Sequence, residues 1–442
     1  MAGWDMPRCQ RQIRECDGFA TQRAVVPGRG RLPAVEPEYD VVIVGARVAG
    51  ASLGILLARQ GRRVLLLDRD AFPSDTLSTH YTAPDVVQRL AALGVLDGLL
   101  EAGFRRVTRH RTVIENCVLE GPAGPGGAFA LSPRRNVLDA LLQERTVGEG
   151  AELRTRTNVE RLLVDGETVV GVVAAGEEIR ARVVVGADGK ASKVADWVGA
   201  ESYREVPAQR PAYYGYFHGV APQPEPTLEM HFGGEAIGFL FPMRPGEDCL
   251  ALELQPEDFD AFRADPFAMF LDRYSRLQGM EERLRGATLE GKLKGIKGVA
   301  NYFRVPYGPG WALTGDAAYL KDFATGLGIG DAAAQAFWLA EALGEWFDGA
   351  GWDETLGAFQ RRRDETLLPS YEATLAFVRM ADPLPERIDV LRALLAAPGL
   401  TRSLGYALPE TLGSVLPEPQ AAMAAGYAGE FRKARQAEEA RA

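Results

Sequence analysis

The sequence predicts an α/β protein: a Rossmann-type domain on a parallel sheet, a second domain on an antiparallel sheet, and a helical C-terminal segment. Three observations carry this. Two continuous apolar runs, Asp40-Val41-Val42-Ile43-Val44 and Arg63-Val64-Leu65-Leu66-Leu67-Asp68, flank an Ala- and Leu-rich stretch, as in a βαβ unit whose strands are buried on both faces. Residues 206–260 alternate aromatic and polar positions, the period-two pattern of antiparallel strands. From residue 331 the pattern is mostly helical.

Residues 1–36, with Arg, Pro and Gly throughout, read as an irregular, disordered leader and lack the apolar centre of a signal peptide. Order is expected from Tyr39. A glycine-containing turn after the first run leads into a helix over residues 49–60, closed by Gly61, and the second run completes a unit of about 30 residues. Residues 83–104 are expected to be helical, 112–131 to form a strand pair around the Gly/Pro cluster 121–127, and 136–146 to be helical again. Three short strand-like runs occupy 151–185, and a strand with a Gly-rich turn returns around 300–318. This assigns 37–110, 130–200 and 296–345 to the nucleotide-binding domain, 111–129 and 201–295 to a substrate domain, and 346–442 to the helical segment.

A chain of 442 residues accommodates two lobes. Its net charge is −10 with acids and arginines interspersed, which argues against a nucleic-acid surface. No apolar run approaches the roughly 18–20 residues that span a bilayer. Cys9, Cys16, Cys117 and Cys249 make no disulfide framework, and with four scattered histidines they lack metal-ligand spacing. The expected setting is a reducing cytoplasm, with no metal.

The first turn reads Gly45-Ala46-Arg47-Val48-Ala49-Gly50. In the G-x-G-x-x-G pattern the glycines bring backbone N–H groups close to a pyrophosphate, with the positive helix end behind them. Arg47 stands at the middle glycine, so a Cβ must fit there, and its guanidinium is expected near the phosphates. Asp68, 18 residues past Gly50, is placed to accept hydrogen bonds from two ribose hydroxyls. Val183-Val184-Val185 then runs into Gly186-Ala187-Asp188-Gly189; alone, Asp-Gly is a routine turn. Trp311-Ala312-Leu313-Thr314-Gly315-Asp316 is followed by Asp322-Phe323-Ala324-Thr325-Gly326-Leu327-Gly328, a glycine-lined loop that opens a long helix with free N–H groups. Arg135-Asn136-Val137-Leu138-Asp139 reads either as an amphipathic helix start or as a ligand contact.

In this order the motifs resemble the group A flavoprotein monooxygenases, the family of para-hydroxybenzoate hydroxylase and the aromatic polyketide hydroxylases, over roughly residues 38–345. The resemblance implies a glutathione-reductase-type FAD domain. It assigns the ADP half of FAD to Gly45, Arg47, Val48, Ala49, Gly50, Asp68 and Arg69, with Arg135 as a further contact. Asp188 and Gly189 are implied to serve both FAD and the nicotinamide donor, Gly315 and Asp316 the ribityl chain, and Gly326, Leu327 and Gly328 the isoalloxazine. Besides Arg47 there are two departures: Ala195 where the Asp-Gly element often has an arginine, and Phe323 where a proline commonly follows the aspartate.

The family pattern implies reduction by NAD(P)H, addition of O₂ at flavin C4a, and oxygen transfer to a small aromatic or polyketide-like substrate. The absence of a second βαβ fingerprint fits a donor that binds transiently, and equally a separate reductase protein; a homodimer also stays open. The substrate is expected under the second sheet. Tyr214, Tyr216 and His218 alternate onto one strand face, and His80, in Ser78-Thr79-His80-Tyr81, is the candidate for proton transfer because an ordinary histidine titrates near neutral pH. His80, Tyr214 and His218 are the candidate catalytic residues. A flavin halogenase shares the fold, but its usual Trp-x-Trp-x-Ile-Pro segment is missing and no lysine lies between Asp68 and His80. A geranylgeranyl-reductase-like activity remains the alternative, since residues 75–80 and Phe239-Leu240-Phe241-Pro242 do not exclude it. The intact Gly-Asp and Asp-Gly elements argue against a non-catalytic prenyl escort protein.

Overall fold

A computed structural model describes residues 36–378 except 79, 115–116 and 234–235. In chain order it runs β1 (Tyr39–Val44), α1 (Val48–Arg59), β2 (Val64–Leu67), α2 (Pro84–Leu93), α3 (Leu96–Glu101), β3 (Arg109–Ile114) and β4 (Cys117–Pro122). Next come α4 (Arg135–Gly148), β5 (Glu152–Arg154), β6 (Val159–Asp165), β7 (Thr168–Ala174), β8 (Glu177–Gly186), α5 (Lys193–Val198) and β9 (Ser202–Val206). The middle of the chain holds β10 (Ala212–His218), β11 (Thr227–Gly233), β12 (Ala236–Pro242), β13 (Glu247–Glu253), α6 (Phe259–Ala264), α7 (Pro266–Ser275), α8 (Met280–Arg283) and β14 (Thr288–Ile296). Last are β15 (Asn301–Arg304), β16 (Tyr307–Gly308), β17 (Trp311–Leu313), β18 (Tyr319–Leu320), α9 (Gly328–Phe347) and α10 (Trp352–Val378).

The expected α/β class is the one found. An eight-stranded sheet has the path β16-β17-β8-β1-β2-β5, with β7 joined to β8 and β6 to β7. Strands β17, β8, β1, β2 and β5 are parallel, and Val42 sits between Leu65 and Val184. Because successive side chains point to opposite faces, Val41 and Ile43 join the core containing α1, α9 and α10, while Val42 and Val44 join the one under β6, β7 and α5. Val41, Val42 and Ile43 have no exposed surface, and each such side chain stabilises the fold by about 1.5–3 kcal/mol.

The second sheet has the order β14-β10-β13-β12-β11-β3-β4. Its pairs are antiparallel except β11 with β3. Tyr213, Phe217, Leu240, Leu250 and Leu252 pack on Phe262, Phe270 and Tyr274 of α6 and α7. The opposite face, with Tyr214, Tyr216, Phe239, Phe241 and Cys249, belongs to the same core as β1, α1 and α9. That arrangement leaves an aromatic wall against the half built on the parallel sheet.

Several local expectations need correcting. The strand pair is β3 with β4, in which Ile114 faces Cys117 and Arg109 faces Pro122, so the cluster 121–127 follows the pair instead of dividing it; Pro125–Gly127 is a short 3₁₀ turn after β4. Gly94, at φ 80°, divides the helical stretch 83–104 into α2 and α3. Residues 151–186 hold four strands, because the three-residue β5 has too little pattern to be seen in sequence. Strand β9 leaves the second sheet and pairs with β15 in a small sheet ordered β18-β15-β9. The leader, apart from residue 36, and the helical segment beyond residue 378 lie outside the described residues.

Candidate active site

Gly45 follows β1 with φ +104°, and a Cβ there would stand 2.4 Å from the Ala187 carbonyl oxygen. A Cβ at Gly50 would stand 1.9 Å from the Gly45 oxygen. Both glycines are therefore demanded by the turn itself. Asp68 is buried at the end of β2; its Oδ2 accepts from the Ala46 N–H at 2.7 Å and its Oδ1 from the Asp70 N–H at 2.9 Å. Burial pushes its pKa up against the pull of those two amides. Arg69, next to it, is exposed.

Arg47 adopts an extended conformation as the residue before α1, which starts without a side-chain cap at Val48 and Ala49. Its guanidinium turns toward α4, donating to Asp139 at 2.7 Å, to Asp70 at 3.1 Å and to Ser74 Oγ at 3.0 Å, and it lies 5.1 Å from the Phe72 ring centre. Arg135 shares Asp139 at 3.1 Å. The substitution at the middle glycine is thus matched by a fully buried carboxylate on α4, and Arg47 does not face bulk solvent.

Asp188 closes the start of α5, accepting from Ser192 Oγ at 2.5 Å and the Lys193 N–H at 2.7 Å. Gly189, at φ +79°, has open space where a Cβ would be. Ala195, where the resemblance anticipates an arginine, packs into the core beside β8. Gly315, at φ +60°, would clash with the Ala49 Cβ if it bore a side chain. The 3₁₀ turn Gly315–Ala317 carries Asp316, whose carboxyl burial pushes up to about 6 against the opposing charge of Arg135. Gly326 ends a second such turn at φ +69°, Leu327 precedes α9, and Gly328 opens onto free space.

These features fit a bound dinucleotide. Helices α1, α4 and α9 begin without a side-chain cap, as do α2, α3, α6 and α8, while α5 and α7 are capped by Ser192 and Asp265; α1 and α9 are the ones that follow the glycine turns. Uncapped N–H groups with the positive end of the helix dipole behind them suit an anion or a carbonyl-bearing ring. Thr314 Oγ1, beside Gly315, and Asn136 Oδ1, beside Arg135, are buried without a hydrogen-bond partner.

His80 lies between the two halves, fully buried and with φ +59°. Its Nδ1 is 3.2 Å from the Pro133 carbonyl oxygen, so that nitrogen carries the proton and Nε2 accepts from Tyr216 OH at 3.1 Å. Burial pushes its pKa down to about 3, so the expected titration near neutral pH does not hold: His80 is a neutral, fixed acceptor. The Tyr216 hydroxyl also lies 3.2 Å from Asp75, which bonds Lys294, and Tyr214 OH donates to the Thr76 carbonyl at 3.3 Å. Burial raises both tyrosines above their ordinary pKa. For Asp75 burial is outweighed by Lys294, which holds its carboxyl below the usual range.

The structure brings His80, Tyr214 and Tyr216 together and leaves His218 at the rim. His218 is half exposed at the end of β10, with Nε2 2.9 Å from Glu290. Glu290 also binds Arg134, whose guanidinium lies 3.8 Å from the Tyr216 ring centre. Asp75, Lys294, Arg134 and the pair Tyr81–His110, 3.3 Å apart, were not anticipated from sequence. Only their residue types were visible there, because Lys294 is 219 residues from Asp75 and meets it through the register Tyr214↔Lys294. Among the described residues no group of three His, Cys, Asp or Glu side chains could hold a metal ion, and no helix is long and apolar enough to cross a membrane.

Residues 38–237 match the family model of the FAD binding domain. The chain is similar to 6-methylpretetramide 4-monooxygenase of Streptomyces rimosus, 34% identical over 177 residues, which are 38% of this chain and only 42% of that protein's length. It is also similar to digeranylgeranylglycerophospholipid reductase 2 of Methanothermobacter thermautotrophicus, 27% identical over 80% of this chain and 91% of that one. Among solved structures, the flavin-dependent brominase Bmp2 shares the fold with a TM-score of 0.72 at 20% identity, covering 91% of this chain and 100% of that one. The chain thus carries an FAD-binding domain over residues 38–237, is similar to flavin-dependent monooxygenases and reductases, and shares its fold with a flavin-dependent brominase.

Proposed function

We propose that this chain oxygenates an aromatic or polyketide-like small molecule, with FAD as cofactor, NAD(P)H as electron donor and O₂ as oxidant. One oxygen atom enters the substrate and the other leaves as water, balanced by two electrons from NAD(P)H. FAD, when bound, supplies the two-electron and O₂ chemistry. The observation that carries the reading is the aromatic wall: Tyr214, Tyr216, Phe239 and Phe241 share the sheet face turned toward the nucleotide-binding half. Flat, electron-rich rings pack well against such a surface.

In this reading Asp68 takes the adenosine ribose, and the uncapped start of α1, flanked by Arg47 and Arg135, takes the diphosphate. Asp316 serves the ribityl chain, and the start of α9 at Leu327 and Gly328 the flavin ring. Asp188 and Gly189 shape the neighbouring turn. The buried Tyr214–Tyr216–His80 group excludes water and orients the substrate, since His80 stays neutral across the physiological range. Donor oxidation by transient contact fits the lack of a second βαβ unit among the described residues, as does electron supply by a separate reductase. A cytoplasmic setting suits these small-molecule partners.

A second reading, reduction of a prenyl double bond, is favoured by the reductase similarity, which extends over 80% of this chain while the monooxygenase similarity covers 38%. Incubating the purified flavoprotein with NADPH, isotopically labelled O₂ and panels of aromatic polyketides and geranylgeranyl compounds separates the two. Label in the product, and no product under nitrogen, is expected. A saturated product formed anaerobically would overturn the oxygenase reading in favour of the reductase.

A further inference from the structure

The carbonyl side of the Gly315–Ala317 turn is held by side chains of β15, just upstream, and of α10. Tyr302 OH donates to the Asp316 oxygen at 2.7 Å, and Arg304 Nη1 donates to the Ala317 oxygen at 2.9 Å. The Ala318 oxygen accepts the Arg304 N–H at 2.8 Å and Arg363 Nη1 at 3.4 Å. Three consecutive peptide groups are thus tied down by β15 and α10. The Tyr302 oxygen also lies 3.3 Å from the carbonyl of Lys190, the residue after Gly189. Arg304 completes the arrangement: its Nη1 is 3.3 Å from that phenol oxygen and its guanidinium 4.2 Å from the ring centre. Behind them, wholly buried Arg363 donates to Tyr203 OH at 2.7 Å and to the Arg304 carbonyl at 3.0 Å.

One buried phenol therefore touches both the Asp-Gly and the Gly-Asp segments. Burial raises its pKa, so the hydroxyl keeps its proton to donate. A peptide whose carbonyl accepts a short hydrogen bond is polarised, which strengthens the N–H of the same unit as a donor on the other side of the turn. The bonds also fix how far apart the two segments stand. The same strand β15 reaches the glycine loop as well, where Asn301 Oδ1 accepts the Asp322 N–H at 2.6 Å.

We propose that Tyr302 is a positioning residue of the cofactor site: by bridging the Asp316 and Lys190 carbonyls it sets the spacing of two FAD-holding segments, and so sets FAD affinity and flavin potential. Arg304 assists by fixing the next carbonyl. This rests on the reading that those segments hold FAD.

The test is titration of apoprotein with FAD, together with the midpoint potential of the bound flavin, for Tyr302→Phe, Arg304→Gln, Asp316→Ala and Tyr274→Phe. Tyr274 of α7 is the control, another buried phenol, which donates to the Phe239 carbonyl of the second sheet at 2.6 Å. Tyr302→Phe is expected to weaken FAD binding about tenfold, the loss of one buried hydrogen bond, and to shift the potential. Tyr274→Phe should stay within about twofold of the parent in affinity at a similar loss of stability. Unchanged affinity and potential in Tyr302→Phe would overturn the proposal, as would an equal loss in Tyr274→Phe. Should Tyr302→Phe not fold, the same criteria apply to Arg304→Gln. An unaffected Asp316→Ala would instead bring down the underlying assignment of the segment, and the proposal with it.

Discussion

At Asp68 two backbone amides, from Ala46 and Asp70, converge on one buried carboxylate. The group therefore pins the glycine turn as well as standing ready for a ribose. Asp68→Ala should weaken FAD binding by about 10–100-fold, the range for losing hydrogen bonds to a charged group. Fluorescence titration of the apoprotein measures this, and a change below threefold would refute the assignment. Asp68 and Gly45 were legible in sequence because their requirement is local: a strand end, a turn and a helix start within about 30 residues. His80 was legible as a residue but not as a chemical group. Its ordinary pKa suggested titration near neutrality, whereas complete burial between Pro133 and Tyr216 leaves it neutral.

Helix α7 shows how the second sheet keeps its aromatic wall in place. Phe270 is fully buried, stacked 5.7 Å from Phe217 and 5.4 Å from Tyr274, on the sheet face opposite Tyr214 and Tyr216. Truncating it to Ala should cost about 3–5 kcal/mol, through lost transfer energy and an unfilled cavity. Denaturant unfolding of Phe270→Ala tests this; a loss under about 1.5 kcal/mol would mean that α7 repacks freely. The alternation that places Tyr214 and Tyr216 opposite Tyr213 and Phe217 was readable from period two alone. The parallel pairing of β3 with β11 was not, because nothing in either strand names its neighbour.

Across the whole molecule, the sheet, the loop before α9 and the end of α10 meet at a buried polar cluster. Arg210 donates to the carbonyls of Val378 at 2.6 Å and Leu254 at 3.1 Å, while Glu253 and Asp322 each keep one buried oxygen without a partner. Burial pushes Glu253 well above its ordinary pKa and Asp322 up to about 6. Both carboxyls therefore bind protons more tightly folded than unfolded. Their contribution to stability is complete below the unfolded-state values and is lost as pH rises toward the folded ones. Glu253→Gln cannot ionise, so its unfolding free energy should fall less between pH 5 and pH 7 than the parent's, by up to about 1.4 kcal/mol per pH unit. Urea unfolding at both pH values checks it; parallel slopes would show that Glu253 ionises freely in the fold.

The sequence by itself determined the βαβ unit, the order of the glycine and aspartate motifs, and the existence of an antiparallel sheet with an aromatic face. Each depends on residues within one turn or one strand of each other, where steric and periodic rules act directly. Only the tertiary structure decided that Arg47 answers to Asp139, that Lys294 meets Asp75 beside Tyr214, that His218 stays at the rim, and that Tyr302 reaches the carbonyls of both Lys190 and Asp316. Those pairings are set by sheet register and helix packing across tens to hundreds of residues. Burial, which shifts charges and fixes proton positions, exists only once the chain has closed around them.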